Sequence, residues 1–303
     1  MATSTIDLVS LLDDVASSAQ STINTVPRVD EVDGDFDAAD IPSAAAQRWV
    51  KIPDVVVVVC DLKGSTALGT GGKHDTTTAR IYKSAVDGAV RILHEFGANY
   101  IDIQGDGGFG VFWGDNRYER AFCAGVTIRT FSDAWFAALR AKDATVPHTG
   151  YKVGIASERV LVKRLGTRND LEEQEPVWAG KPVNFASKCA QAADVAELIV
   201  TDKVWDRLSS NDYVAFSCDC HGAPAELWEA VEVEVLPEDS RGAVRLTSAW
   251  CDTCGPSFCD AIMTGARKRA SVTEAKRQEH DRNFRAALLA IRKRDAEHRY
   301  PKW

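Results

Sequence analysis

A chain of 303 residues with 45% apolar content is long enough to bury a substantial core in one or two domains. Its formal charge of −8 argues against a generic affinity for nucleic acid, and no apolar run approaches the roughly 18 residues needed to span a bilayer. The first residues lack a charged region leading into an apolar stretch and a cleavage site, so the expected location is the cytoplasm, without secretion.

Residues 5–24 carry helical apolar spacing through Leu8, Leu11, Leu12 and Val15, and the acidic stretch from Val29 to Asp37 reads as a linker. Val55 to Cys60 is a continuous apolar and largely β-branched run, the pattern of a central strand buried on both faces. Asp61 stands where that strand leaves the core. Gly64, Ser65 and Thr66 follow, small residues whose backbone N–H groups can approach phosphate at the start of a helix. Residues 79–96 read as a helix through Ile81, Val86, Val90, Ile92 and Leu93. Tyr100 to Ile103, the turn Gly105-Asp106-Gly107-Gly108 and the run Phe109 to Trp113 then read as a hairpin with Asp106 at its tip. A helix is expected over 118–139, and strands near 151–156, 159–163, 197–201, 213–217 and 227–233. Residues 265–303 form a basic tail, with Arg267-Lys268-Arg269 and Arg292-Lys293-Arg294 on a helix that packs on the body or on a dimer mate in preference to nucleic acid or membrane.

Taken singly, Asp61 is a helix N-cap and Asp106 a turn residue. Jointly, two carboxylates on neighbouring strand ends describe a site for Mg²⁺ or Mn²⁺ carrying polyphosphate, because such hard cations take one or two carboxylates and complete their shell with phosphate oxygens. Gly105 to Gly110 also matches the dinucleotide pattern GxGxxG, but that fingerprint needs a helix next, and Val111-Phe112-Trp113 is a strand. Phosphatases of the haloacid dehalogenase type place a second aspartate two residues after the first; Lys63 stands there and removes the proton donor.

With Asp61-Leu62-Lys63-Gly64-Ser65-Thr66, Gly105-Asp106-Gly107-Gly108-Phe109 and a third motif, Trp178 through Lys188, the chain resembles the class III nucleotidyl cyclases over residues 50–235, and within them the pyrimidine cyclases of bacterial antiphage signalling. The resemblance implies an α/β (α+β) fold: a ferredoxin-like catalytic core with a mostly antiparallel sheet flanked by helices. It implies an N-terminal helix and acidic linker at 1–49, the catalytic domain at 50–235, and a cysteine-containing segment with a basic helix at 236–303. It further implies two Mn²⁺ or Mg²⁺ ions held by Asp61, Asp106 and the Leu62 carbonyl, with Lys63, Gly64, Ser65 and Thr66 on the triphosphate. Asn184 would orient the ribose and Lys188 would offset charge on the transferred phosphate; their i, i+4 spacing puts both on one helix face. In the family that helix comes from a second protomer, which implies a homodimer with sites at its interface. A cyclic nucleotide product would be read by a separate effector.

Purine cyclases read adenine with a lysine and an aspartate at positions held here by Asp102 and Val177, so a smaller base is favoured, UTP ahead of CTP. Two alternatives stand beside it: a purine cyclase with base contacts elsewhere, such as Lys163 or Arg164, and a nucleotide-binding module without catalysis. Lys188 keeps a positive charge where the family has arginine but lacks the planar fork that grips phosphate in two places. Of the eight cysteines, Cys218, Cys220, Cys251, Cys254 and Cys259 with His221 offer ligands for a structural zinc. Because Cys218 and Cys220 are separated by one residue, outside the common zinc spacings, reduced thiols are favoured over zinc, and disulfides least. Cys60, Cys123 and Cys189 are expected to pack as small hydrophobes.

Overall fold

Two long strands organise the molecule, and both exceed the sequence patterns that predict them. The computed structural model describes residues 6–70, 75–168 and 170–299. In chain order its elements are α1 (Leu8–Asn24), β1 (Arg28–Glu31), β2 (Arg48–Leu62), α2 (Ser65–Thr70), α3 (Asp75–Glu95), β3 (Tyr100–Gln104), β4 (Gly107–Phe112), α4 (Arg117–Lys142), β5 (Tyr151–Gly166), β6 (Gln174–Gly180), α5 (Lys181–Ala192), β7 (Leu198–Thr201), α6 (Asp202–Leu208), α7 (Asp212–Ala215), β8 (Trp228–Glu232), β9 (Gly242–Leu246), α8 (Gly255–Met263) and α9 (Glu274–Arg299).

The strands form a nine-stranded sheet in the order β3-β4-β2-β5-β7-β9-β8, with β1 paired to β2 and β6 to β5 off that path. The segment β2-α3-β3-β4-α4-β5 is the expected ferredoxin-like βαββαβ unit, since consecutive elements give the spatial order β3-β4-β2-β5. Pairing is antiparallel except for β1 with β2 and β5 with β7. Residues of β2 alternate between the two faces, as the strand repeat requires. Val56, Val58, Cys60 and Leu62 enter one core with α3 and α4 residues such as Leu93 and Phe122. Val55 and Val57 enter another with Phe109, Val111, Trp113 and Ala186 of α5. The sheet is therefore covered on both sides, which is why its central run carries no polar alternation.

Several expectations are corrected. Residues 151–156 and 159–163 belong to the single strand β5, because Ser157 and Glu158 pair with Val56 and Val55 of β2 and pairing resumes past a bulge at Val160, opposite Ile52. Residues 213–217 are not a strand: Asn211 caps the short helix α7 by accepting from the Tyr213 amide, and only Phe216 makes an isolated bridge, to Glu226. The acidic stretch is not all linker, since Arg28–Glu31 pairs with Arg48–Lys51 and Lys51 Nζ reaches Glu31 Oε2 at 2.6 Å. Arg267-Lys268-Arg269 precedes α9 and lies outside the helix. Predicted helices at 5–24, 79–96 and 118–139 correspond to α1, α3 and α4, although residue 5 lies outside the described residues. The helix α1 buries none of its residues.

The C-terminal segment is sewn into the body. Phe284, Leu288 and Ile291 of α9 are buried in the main core, and buried His280 sits among Trp205, Phe216 and Phe284. Burial holds His280 below its ordinary pKa, partly offset by the charge of Glu226. Arg292 pairs with Asp202 and Arg294 with Glu232, so these members of the basic triplet serve contacts to the body. No helix among the described residues is long and apolar enough to cross a membrane.

Candidate active site

Asp61 occupies the end of β2 and Asp106 the β3–β4 turn, and the ladder sets these ends side by side because Cys60 pairs with Gly108. Approach is close enough that residue 107 has to be glycine: a Cβ there would stand 2.2 Å from the Cys60 carbonyl oxygen and 3.3 Å from Asp61 Cα. The charges of both carboxylates reach the same neighbours. Burial pushes the Cys60 thiol up to about 12, and Asp61 and Asp106 add to the rise. The Tyr151 phenol is likewise raised, first by burial and then by Cys60, Asp106 and Asp61. Both aspartates are only half-buried, so the pair opens to solvent.

Sequence reasoning missed Lys152. It lies opposite Asp61 in the β2–β5 register, and its Nζ is 2.6 Å from Asp61 Oδ2. The available signal was a lone lysine within the apolar run Tyr151-Lys152-Val153. The donor set of two carboxylates at one strand junction is hard oxygen chemistry, which suits Mg²⁺ or Mn²⁺. The Lys152 ammonium holds one oxygen of Asp61 in place.

The turn after β2 continues into the six-residue helix α2, which begins at Ser65 after Gly64 with φ +71°. Lys63 donates its amide to the Gly150 carbonyl at 3.0 Å, and its ammonium pairs with Asp194, which holds that carboxyl below its ordinary pKa. Asp102 accepts a hydrogen bond from Gln104 Nε2 at 3.2 Å, and its charge contributes to the raised Tyr100 phenol, whose main cause is burial. Val177 is exposed, on the side of β6 opposite buried Trp178, whose ring lies 5.1 Å from that of Tyr100. Lys163 spends its ammonium on the Ala46 carbonyl.

The helix α5 starts with Pro182 in its first turn, where a missing N–H costs nothing. It passes so close to β5 that a Cβ on Gly154 would lie 2.0 Å from the Ala186 carbonyl oxygen. Gly154→Ala is expected to lift the helix and lower stability by about 2–3 kcal/mol; urea unfolding of the purified variant measures it. Asn184 is exposed and donates to the Gly180 carbonyl at 3.2 Å, and Lys188 is half-buried. Among the described residues, neither is hydrogen-bonded or ion-paired to Asp61 or Asp106. The structure thus brings the two aspartates together in one chain, with Asn184 and Lys188 on α5, a helix that packs on the face of β2 to which Asp61 belongs.

The cysteines fall into groups that spacing did not reveal. Cys218, Cys220, Cys251 and Cys254 converge, while Cys259 lies against buried Cys123 and His221 stays outside the cluster. Cys60, Cys123 and Cys189 are buried as expected.

No family model matches the chain. The fold is that of the class III nucleotidyl cyclase catalytic domain: the adenylyl cyclase CyaB from P. aeruginosa superposes with a TM-score of 0.54 at 16% identity, covering 66% of this chain and 96% of that one. A protein of Propioniciclava tarda named "Uridylate cyclase" is 56% identical over 292 residues, covering 95% of this chain and 94% of that protein. One of Micromonospora echinofusca with the same name is 45% identical over 271 residues, covering 88% of each. The chain belongs to the family of these relatives, within the class III nucleotidyl cyclases, and is a nucleotidyl cyclase.

Proposed function

We propose that the protein converts a pyrimidine nucleoside triphosphate, UTP in preference to CTP, into its 3′,5′-cyclic monophosphate and pyrophosphate. The observation that carries this reading is the junction of Asp61 and Asp106, in a chain 56% identical to a protein named for uridylate cyclisation. The ribose 3′-oxygen attacks the α-phosphorus; that bond forms as the bond from the α-phosphorus to the α,β-bridging oxygen breaks, pyrophosphate departs, and the hydroxyl proton is lost to solvent. Asp61, Asp106 and the Leu62 carbonyl would hold two Mg²⁺ or Mn²⁺ ions, which supply acidification of the hydroxyl and neutralisation of the leaving group. Lys63, Gly64, Ser65 and Thr66 follow Asp61 and Leu62 and are assigned to the triphosphate, with Lys63 exchanging Asp194 for phosphate. Asp102 and Val177 replace the purine-reading pair, and neither reproduces its donor and acceptor pattern.

Asn184 and Lys188 act on the substrate held by the other protomer of a homodimer, Asn184 orienting the ribose and Lys188 stabilising negative charge on the transferred group. By its resemblance to the antiphage cyclases, the product is a signal read by a separate effector protein.

Purified protein incubated with Mn²⁺ and each of ATP, GTP, CTP and UTP, with products resolved by chromatography and mass spectrometry, is expected to yield cyclic UMP as the main product. A purine product would discard the base assignment and retain the cyclase; no product from a folded dimer would point to a missing activator or a binding module. Lys188→Ala and Asp61→Ala proteins, each inactive alone, are expected to recover up to about a quarter of wild-type activity when mixed, since random pairing leaves one intact site in half the dimers. No recovery despite demonstrated subunit exchange would place the whole site in one chain.

A further inference from the structure

The four sulfur atoms of Cys218, Cys220, Cys251 and Cys254 all lie within 4.8 Å of one another. They come from two separate stretches. Cys218 and Cys220 flank Asp219 in the turn after α7, and Cys251 and Cys254 form a C-x-x-C turn leading into α8. Nothing in the local backbone requires four thiols to converge here, and every cysteine is free. Zn–S bonds of about 2.3 Å in a tetrahedron set ligand sulfurs about 3.8 Å apart, within the span observed. A pair of disulfides would instead need two sulfur pairs at about 2 Å.

We propose that Cys218, Cys220, Cys251 and Cys254 bind a structural zinc ion that clasps the C-terminal segment to the cyclase core. The surroundings fit a closed, all-sulfur site. Backbone N–H groups of Thr253 and Cys254 lie beside the Cys251 sulfur, the kind of outer contact that steadies a thiolate ligand. Both stretches are already anchored to the body. Arg269 donates to the Ser217 carbonyl at 2.8 Å and pairs with Asp219, while Trp250 donates its indole N–H to Thr127 Oγ1 at 2.9 Å and its amide to Thr130 Oγ1 at 3.0 Å. Four soft ligands in tetrahedral reach select zinc over the hard cations of the nucleotide site.

The zinc site is separate from the nucleotide site. Its flanking residues Phe216 and Trp250 join the core shared with α3 and α4, whereas strand alternation places Asp61 on the α5 face. A cleft of about 600 Å³ lies between the cysteine turns and α4, lined by Phe122, Val126, Tyr213 and Trp250. The cysteine turns border this cleft, and a metal ion would join the two across its rim.

The full-length protein, purified without chelator under reducing conditions, is expected to contain one zinc per chain by elemental mass spectrometry. The double variant Cys218→Ser, Cys251→Ser should lose that zinc and melt about 5–10 °C lower, while Cys189→Ala should keep it. Should the double variant fail to fold, wild-type protein produced with Co²⁺ provides the reading: intense thiolate-to-cobalt absorption and tetrahedral d–d bands are expected. Protein free of metal with eight titratable thiols, protein carrying disulfides among these four cysteines, or iron in place of zinc would each overturn the proposal.

Discussion

Asp106→Ala is expected to lower cyclisation by about a thousandfold or more while moving the melting temperature by only a few degrees, and Asp61→Asn should do the same. Each removes an oxygen that the proposed metal site requires, where two carboxylates would provide most of the negative charge. Asp106 lies in a solvent-open turn, so its removal leaves no cavity in the core. Asp61→Ala is the less clean variant, because Lys152, whose side chain is 15% exposed, would lose its carboxylate partner at 2.6 Å. That cost is expected to be about 1–2 kcal/mol, whereas asparagine keeps an oxygen in place. Steady-state rates with saturating Mn²⁺, alongside thermal melts, separate the two effects. Activity within tenfold of wild type in both Asp106→Ala and Asp61→Asn would remove the carboxylate pair from the mechanism.

The largest effect on stability is expected at a residue far from chemistry. Asp212 is 2% exposed, accepts from Arg277 Nη2 at 2.7 Å and from the Arg269 amide at 2.8 Å, and lies 3.8 Å from Lys268 Nζ. Asp212→Ala strands these donors around a buried gap and should cost about 3–5 kcal/mol. Burial by itself would raise the Asp212 pKa, but the Arg277 hydrogen bonds, the Arg269 amide and the charge of Lys268 outweigh it and hold the carboxyl below its ordinary value. A carboxyl depressed in the folded state contributes its full stabilisation above the unfolded value of about 3.9 and loses it as pH falls through the folded pKa. Asp212→Asn should therefore be less stable at neutral pH and show a flatter loss of stability below about pH 4. Urea unfolding across that range tests both; identical pH profiles for the two proteins would contradict the assignment.

Much of the catalytic half was legible because its signals are local. A β-branched run and a glycine-rich turn specify strand and hairpin directly, so Asp61 and Asp106 could be placed at strand ends from the residues alone. The ion pair with Lys152 was not legible, since it depends on the register of β5 against β2, which is a tertiary property. Residues 213–217 misled for a related reason. Val214, Ala215 and Phe216 are apolar enough for a strand, but Asn211 caps a helical turn and burial serves the contact with α9. The cysteine cluster escaped spacing rules because its two halves meet only after β8 and β9 have folded back. Asp212 and the residues it gathers gave no sequence signal: a single aspartate at a helix start is ordinary until the C-terminal segment closes over it.

One consequence of the strand order concerns the chain as it is made. The strand β9 is an interior strand, bonded to β7 on one side and β8 on the other, yet it is the last strand of the sheet to be synthesised. Until residue 246 has left the ribosome, β7, all of whose residues are buried in the finished protein, presents an open apolar edge. A chain interrupted before β9 would already carry Asp61, Asp106, Asn184 and Lys188, but its unpaired edge would direct it to aggregation or proteolysis. Completion of the sheet therefore waits for the last of its strands.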